Sequence, residues 1–590
     1  MSTLNRQIYT DSLVLLACGL MLLVIPHSTH ATEKTVMVKE KDGQRLTEQR
    51  SAQIPGCDRV FEPAAASYDF LGNLNPALPD NGQVGRVYIT RLPIFDEQNP
   101  RENNALFRFA NRFHTLTREY VVRDLVLFEE GQSVDKNRLE ESARILRQQK
   151  YLYDANVMPV RQCNNTLDIE IVTKDVWSFN PEISYQRSGG VAEYRFAVRD
   201  TNILGTGKLL ALATKKNLER TATELIYKDP NIAGSRMTTR LEYSDNDDGS
   251  NQHAGIGLPF YSLDSRRSWR LVVERIDRTD TQYFHGQEVT EIQHEINDYI
   301  FNWGFSNGLV DGETRRWQIG YRYRKDRFLE SNGLLPPPPL PPQSKQYAYP
   351  FFAFEFVENH YAKTFDVDQI HRTEDLHLGN RFYVRAGYAT NKMDADQDRF
   401  IIDGEGSQAI YYSGDSLLRH QFQWTGMWNQ DTRKTEDFLL KYEMRYYKGQ
   451  TKHRSFAAIL NAAWSKNLNT GEQVYVGGET GLRGYEARFQ TGDRKLSLNL
   501  EERMYSDKHL LNLLRLGWAV FVDVGRAWEP GLDNGSDNEW LVNAGLGLRL
   551  ASSKADAGKI IHMDLAWPLT RKDDPAVDSY QFWVTIKEAF

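Results

Sequence analysis

Trp317-Gln318-Ile319-Gly320-Tyr321-Arg322-Tyr323-Arg324 is the stretch that decides how this chain must fold. Large apolar side chains stand at the odd positions, with polar residues or glycine between them. A period of two marks a β-strand with two unlike faces. The same alternation returns in Phe438-Leu439-Leu440-Lys441-Tyr442-Glu443-Met444-Arg445-Tyr446. From Trp540 to Leu550, Val542, Ala544, Leu546, Leu548 and Leu550 alternate with Asn543, Gly545, Gly547 and Arg549. From Ile561 to Leu569 the odd positions are apolar, against His562 and Asp564. A half-buried soluble sheet also alternates. Here, however, the apolar face is large and aromatic while the other carries charge. That is inside-out for a water-soluble closed barrel and suited to one in lipid. No water in a bilayer core satisfies an open strand edge, so such a sheet has to close.

Composition agrees. The chain has 590 residues, enough for at least two units. Hydrophobic residues are 40% of it, yet aromatics reach 12%, and Tyr and Trp favour membrane–water interfaces. The net charge of −7 offers no basic excess for nucleic acid. One long apolar run exists, Ser12 to Pro26, which excludes several helical spans. It follows Arg6 and precedes Thr29-His30-Ala31, so residues 1–31 read as a secretory signal peptide. Asp11 departs mildly from that pattern, and an uncleaved anchor helix is the alternative. Cleavage would leave Cys57 and Cys163 in an oxidising compartment, either paired or as separate thiols. No Cys or His spacing suits a metal, and no cofactor is expected.

Residues 32–84 are polar and Pro-punctuated, a linker or arm. Residues 85–176 read as a small α+β domain. Val87, Ile89 and Leu92 suggest a strand; Val121, Val122, Leu125 and Phe128 have helical spacing. Asp135 can cap a second helix carrying Leu139, Ala143 and Leu146. Strands over Tyr153–Val160 and Leu167–Thr173 follow, and Asp96 to His114 is an insertion. Residues 177–590 form the barrel. At about 10 residues per spanning strand, about sixteen strands leave generous loops, although fourteen or eighteen would also fit. Leu334 to Pro342 is a proline-rich loop. The chain ends in a strand with Tyr580, Phe582, Val584, Ile586 and Phe590 on one face, like the C-terminal assembly signal of outer-membrane barrels.

Several segments together resemble the bacterial surface antigen barrels, the superfamily of BamA and TamA. Leu482-Arg483-Gly484-Tyr485, after Gly477-Gly478 and Gly481, is similar to that family's V/L-R-G-F/Y motif. Asp200-Thr201-Asn202-Ile203-Leu204-Gly205-Thr206-Gly207-Lys208 resembles its first barrel hairpin. Tyr227–Asn231, Pro259–Asp264, Arg372–Gly379 and Phe521–Gly525 also match. The resemblance implies a Gram-negative outer-membrane barrel of sixteen strands, with the R-G-Y loop folded into the lumen. It also implies that residues 85–176 are one POTRA-like domain in the periplasm. In the family the motif arginine meets acidic residues on lumen-facing strands. Parity places Glu501 and Asp523 on that face and Glu502 on the other. In a wet lumen such contacts would weaken towards ~1 kcal/mol each, pinning the loop without locking it.

The function implied is protein insertion, assembly or translocation at the outer membrane. The expected partners are lipid, unfolded clients and periplasmic accessory proteins. One POTRA-like domain rather than several points to an accessory role. A passive pore is the alternative, and conductance without client insertion would favour it. Enzyme activity is not expected: Gly414-Asp415-Ser416-Leu417 matches a short lipase signature but lacks an α/β context. Asp394, Asp396, Asp398 and Glu405 stand at calcium-loop spacing, but Arg399 occupies the glycine position and no helices flank it.

Overall fold

The computed structural model describes residues 57–60 and 82–587, apart from 101 and short stretches at 189–190, 285–286, 334–341, 365–366, 370–372, 414, 452, 470–471, 512, 531–538 and 555–559. The expected signal peptide, most of the arm, Phe590 and nearly all of the proline loop lie outside the described residues.

The N-terminal domain comprises β1 (Cys57–Val60), β2 (Gln83–Leu92), α1 (Ala105–Phe113), α2 (Glu119–Leu125), α3 (Lys136–Arg147), β3 (Leu152–Cys163) and β4 (Thr166–Asp175). Its sheet runs β1-β3-β4-β2, with β2 parallel to β4. The Asp135 carboxylate caps α3 by accepting from the Asn137 and Arg138 N–H groups. The apolar stripes of α2 and α3 bury Val121, Val122, Leu139 and Leu146 against Leu152, Leu167, Ile169 and Ile171. The arm expected to be a linker supplies β1, because a four-residue strand is too short to show a period. Cys163 is disulfide-bonded, and the backbone of Cys57 lies opposite it across β1 and β3. The insertion contains α1.

After Trp177 the sheet closes into a barrel of twenty strands among the described residues, from Phe179–Ser188 to Gln581–Lys587. This corrects the expectation of sixteen. Six strands of eight to ten residues lie within residues 179–258, with connections of at most eight residues. An even division with generous loops therefore undercounts. Elsewhere strands are much longer. Gln287–Val310 has 24 residues, which rise roughly 80 Å at ~3.3 Å each and so stand well clear of a ~30 Å hydrocarbon core. Its Asp311-Gly312 turn lies beside the N-terminal domain: the Asn359 N–H donates to the Gly312 carbonyl, and the Asn359 side chain accepts from Arg144 of α3. The excess length therefore projects from the opposite rim.

The two faces follow the sequence parity. Phe301, Ile319, Leu546 and Leu548 are exposed on the outside, whereas Asp298, Arg316, Glu355, Arg549 and Asp564 are buried. Arg322 holds Asp298 through bonds at 2.9 and 2.5 Å, and Arg316 holds Glu355 at 2.9 Å. Among the described residues no helix is long and apolar enough to cross a membrane. Leu546→Arg, on the outer face in mid-strand, should cost about 2–4 kcal/mol, against about 0–1 for Trp540→Arg at the rim. Urea unfolding in lipid vesicles measures both.

Candidate functional site

The strands Arg454–Lys466 and Arg494–Leu510 pair directly, and residues 472–493 of the connection between them turn back into the barrel. Val474–Val476 pairs with Gln490–Gly492 at the base of this loop. Leu482, Tyr485, Phe489 and Val476 are fully buried against Ala527 and Leu541 of the wall. The tip admits little else. A side chain at Gly484 would put its Cβ 2.6 Å from that of Asn543, and one at Gly478 would strike the Trp583 ring. Gly481 takes φ +103°, the left-handed region that favours glycine.

Arg483 is the centre of the site. Its Nε and Nη2 donate to both Asp523 oxygens at 2.9 and 2.7 Å. Its Nη1 donates to Glu501 at 2.8 Å and to Asp564 at 3.2 Å. The guanidinium lies 3.4 Å from the centre of the Phe521 ring. Both carboxylates nominated by parity are in place, and Asp564 is a third that was not nominated. Its signal was in the sequence, since it shares the inward parity of Ile561–Leu569. Arg503 bonds Glu501 at 3.1 Å and Arg549 bonds Asp564, so the lattice holds three cations and three anions. Asn499 and Asn543 donate to Asp523 at 2.8 and 2.7 Å. Trp583, on the last strand, donates to the Arg483 carbonyl at 2.5 Å. The Tyr485 hydroxyl donates to the Val542 carbonyl at 2.8 Å. Tyr580 and Phe582 are exposed on the outside of the same terminal segment.

This corrects the expected wet contact. Arg483 is 6% exposed and Asp523 0%, so its ion pairs are desolvated and removing one partner strands charge. The loop is locked rather than lightly pinned. Arg483→Ala should cost about 3–5 kcal/mol and open residues 467–493 to protease. Arg483→Lys should recover little, since an ammonium cannot form the two-pronged bond to Asp523. Limited proteolysis and the thermal midpoint of the unboiled gel band test both.

At the rim facing the N-terminal domain, the connection between Lys345–Glu358 and Arg381–Ala389 forms a second insert, with Tyr361–Thr364 paired to Glu374–His377. Leu376 packs on Ala409, Leu417, Tyr447 and Ala457 of the barrel wall. Asp368 accepts from the Tyr447 hydroxyl at 2.8 Å and pairs with Arg419. On its other side, Arg147 of α3 grips Asp375 at 2.6 and 2.7 Å, and Thr373 bonds Asp154 of β3 at 2.8 Å. The hairpin thus joins domain to lumen wall, a role the sequence did not disclose because its partners are distant along the chain. Burial, and then the Asp368 charge, push the Glu374 carboxyl up from 4.5 to about 7. Folding therefore favours its protonated form. That stabilisation is complete below about 4.5 and lost as pH rises through about 7. Cleavage within the hairpin should rise from pH 6 to pH 8 relative to Glu374→Gln, in which the dependence should vanish.

Of the other segments of the resemblance, Phe521–Gly525 lies within the strand Leu514–Trp528 beside Arg483, and the rest bring turns to the same rim. Asp200–Lys208 follows the first hairpin rather than forming it: Asn202 donates to the Thr117 hydroxyl at 2.9 Å, and the Arg118 N–H donates to the Gly205 carbonyl at 2.8 Å. Asn231 donates to Asp124 at 3.0 Å. The Leu263 N–H donates to Glu141 at 2.8 Å, and Arg138 pairs with Asp264 at 3.0 Å. Elsewhere, Asp396 of the acidic loop is taken by Arg399 at 2.6 Å. Among the described residues no cluster of His, Cys, Asp and Glu suits a metal ion. Gly414 lies outside the described residues, and Ser416 opens a barrel strand.

Residues 202–590 match the Omp85 superfamily domain. Among solved structures, the chain is similar to BamA from Haemophilus ducreyi lacking POTRA domains 1-3, at 12% identity over 85% of this chain and 84% of that one, with a TM-score of 0.36. It is also similar to CdiB from Acinetobacter baumannii, at 10% identity over 86% of this chain and 73% of that one, with a TM-score of 0.40. Closed sheet, outward apolar face and a domain match over most of the barrel lead to one conclusion: the chain belongs to the Omp85 superfamily and is an outer-membrane β-barrel.

Proposed function

We propose that this barrel helps polypeptides insert into or cross the outer membrane, with its α+β domain acting as a POTRA-like module in the periplasm. The observation that carries this reading is a sheet whose terminal strand is open over its second half, held beneath the barrel rim by several separate connections. In that sheet β2 pairs with β4 on one side. Among the described residues the start of its other edge is bonded to the following turn, Val84 exchanging backbone bonds with Gly131 and Gln132 and the Val87 N–H donating to Glu130, while no strand pairs with Tyr88 to Leu92 on that side. An unpaired strand edge is a template for an extended client segment, with main-chain bonds giving affinity and side-chain pockets selectivity.

The barrel provides the second half of the mechanism. The Arg483 lattice ties the lumen loop to four late strands and, through Trp583, to the last one. Among the described residues the first and last strands, of 10 and 7 residues, then meet at a seam. Few backbone bonds hold such a seam, so a client strand delivered from below can compete for it. The lumen loop supports the inner side of the late strands during that exchange. No bond of the client is broken, and no catalytic group is required. Clients and outer-membrane lipid are the partners, and periplasmic accessory proteins would meet the exposed faces of the domain.

Reconstitution tests this. Vesicles containing the full chain should fold an added unfolded barrel client faster than empty vesicles, as followed by gel mobility before boiling. Arg483→Ala should reduce that acceleration. Ion conductance with no acceleration would overturn the proposal and leave a passive pore.

A further inference from the structure

We propose that α1 is an interfacial helix that lays Leu106, Phe109 and Phe113 into the lipid leaflet at the domain-side rim of the barrel. At 100° per residue its sequence divides into three faces. One face is docked: the Phe107 ring stacks on that of Phe95 with centres 4.0 Å apart, and both pack with Ile94, Trp177 and Leu513. A second face carries Leu106, Phe109 and Phe113, which are 67%, 57% and 65% exposed. The Phe109 and Phe113 rings meet each other with centres 4.2 Å apart. The third face carries the exposed Arg108 and Arg112.

Position selects the occupant. Trp177 leads into the first barrel strand, and Leu513 lies in the turn between two late strands. Lys554, on the next turn of that rim, reaches the Ile94 carbonyl at 3.3 Å and Glu102 at 2.7 Å. The helix is therefore held at the membrane boundary beside the strands that approach the seam. Leu510 and Leu511, next to that docking point, are themselves 47% and 75% exposed. The apolar face of α1 thus continues the lipid-facing belt of the barrel. A short helix with large apolar side chains on one face and arginines on another lies in the plane of the interface, with its cations at the lipid phosphates. The inference rests on the membrane location of the barrel and not on its activity towards clients. Its consequence is a domain held at fixed height against the bilayer, with the leaflet wedged open near the seam.

A nitroxide scan of the full chain in phosphatidylethanolamine–phosphatidylglycerol vesicles tests this. Labels are introduced one at a time by Leu106→Cys, Arg108→Cys, Phe109→Cys, Arg112→Cys and Phe113→Cys. Unboiled gel mobility confirms that each variant is folded. Oxygen should relax the labels at 106, 109 and 113 more than a water-soluble nickel chelate does, as it does at Leu546→Cys on the outer barrel face. The preference should reverse at 108 and 112. Nickel preference at all five positions would place the face in water and overturn the proposal. Exclusion of both reagents from 106, 109 and 113 would do the same, by showing that a protein surface covers them.

Discussion

A strand that faces acyl chains on one side can carry charge only on the other. Ionised groups of the spanning sheet are thereby driven towards the lumen, where each must find a partner or water. The Arg483 lattice is the most concentrated answer to that constraint. Three arginines and three carboxylates balance in charge, and two asparagines satisfy Asp523 further. Burial makes each ion costly alone and the complete set stable, because desolvation is offset only when every partner is present. A neutral lattice of this kind fixes one arrangement of the loop and penalises neighbouring ones.

The same economy of position explains the turns at the rim facing the N-terminal domain. Asn202, Asn231 and Asp264 look in sequence like ordinary turn residues, and all three lie in turns between barrel strands. In the fold they also meet Thr117, Asp124 and Arg138 of the α+β domain. Gly205 is constrained twice over, by a φ of +73° and by the Leu116 carbonyl, which would lie 2.4 Å from an added Cβ. The turn sequences are therefore set by docking as much as by chain reversal. The hairpin at Tyr361–His377 extends this arrangement inward. It is bound on one side by Arg147 and on the other by Leu376 and Asp368 against the wall. Domain, hairpin and barrel wall form a continuous chain of contacts from the N-terminal domain to the lumen.

Much of this was legible from residues alone, because a period of two is local and its polarity is unambiguous. Parity placed Glu501 and Asp523 inward and Glu502 outward without coordinates. The α3 cap at Asp135 and the strands around Leu152 and Leu167 were readable for the same reason. The strand count was not. It depends on how tightly consecutive hairpins turn, and six short strands before Leu258 replaced the loops an even division had allowed. β1 was hidden by its brevity, and the Tyr361–His377 hairpin by the distance to its partners.

The sequence by itself determined that the sheet must close, which face meets lipid, and which side chains line the lumen, since each follows from alternation in a solvent without water. Only the tertiary structure decided that the ring has twenty strands among the described residues. The same holds for Asp564, Arg503, Arg549 and Trp583 joining Arg483, and for the rim turns docking the N-terminal domain. Those facts depend on register and curvature, which bring together residues with no local relation along the chain.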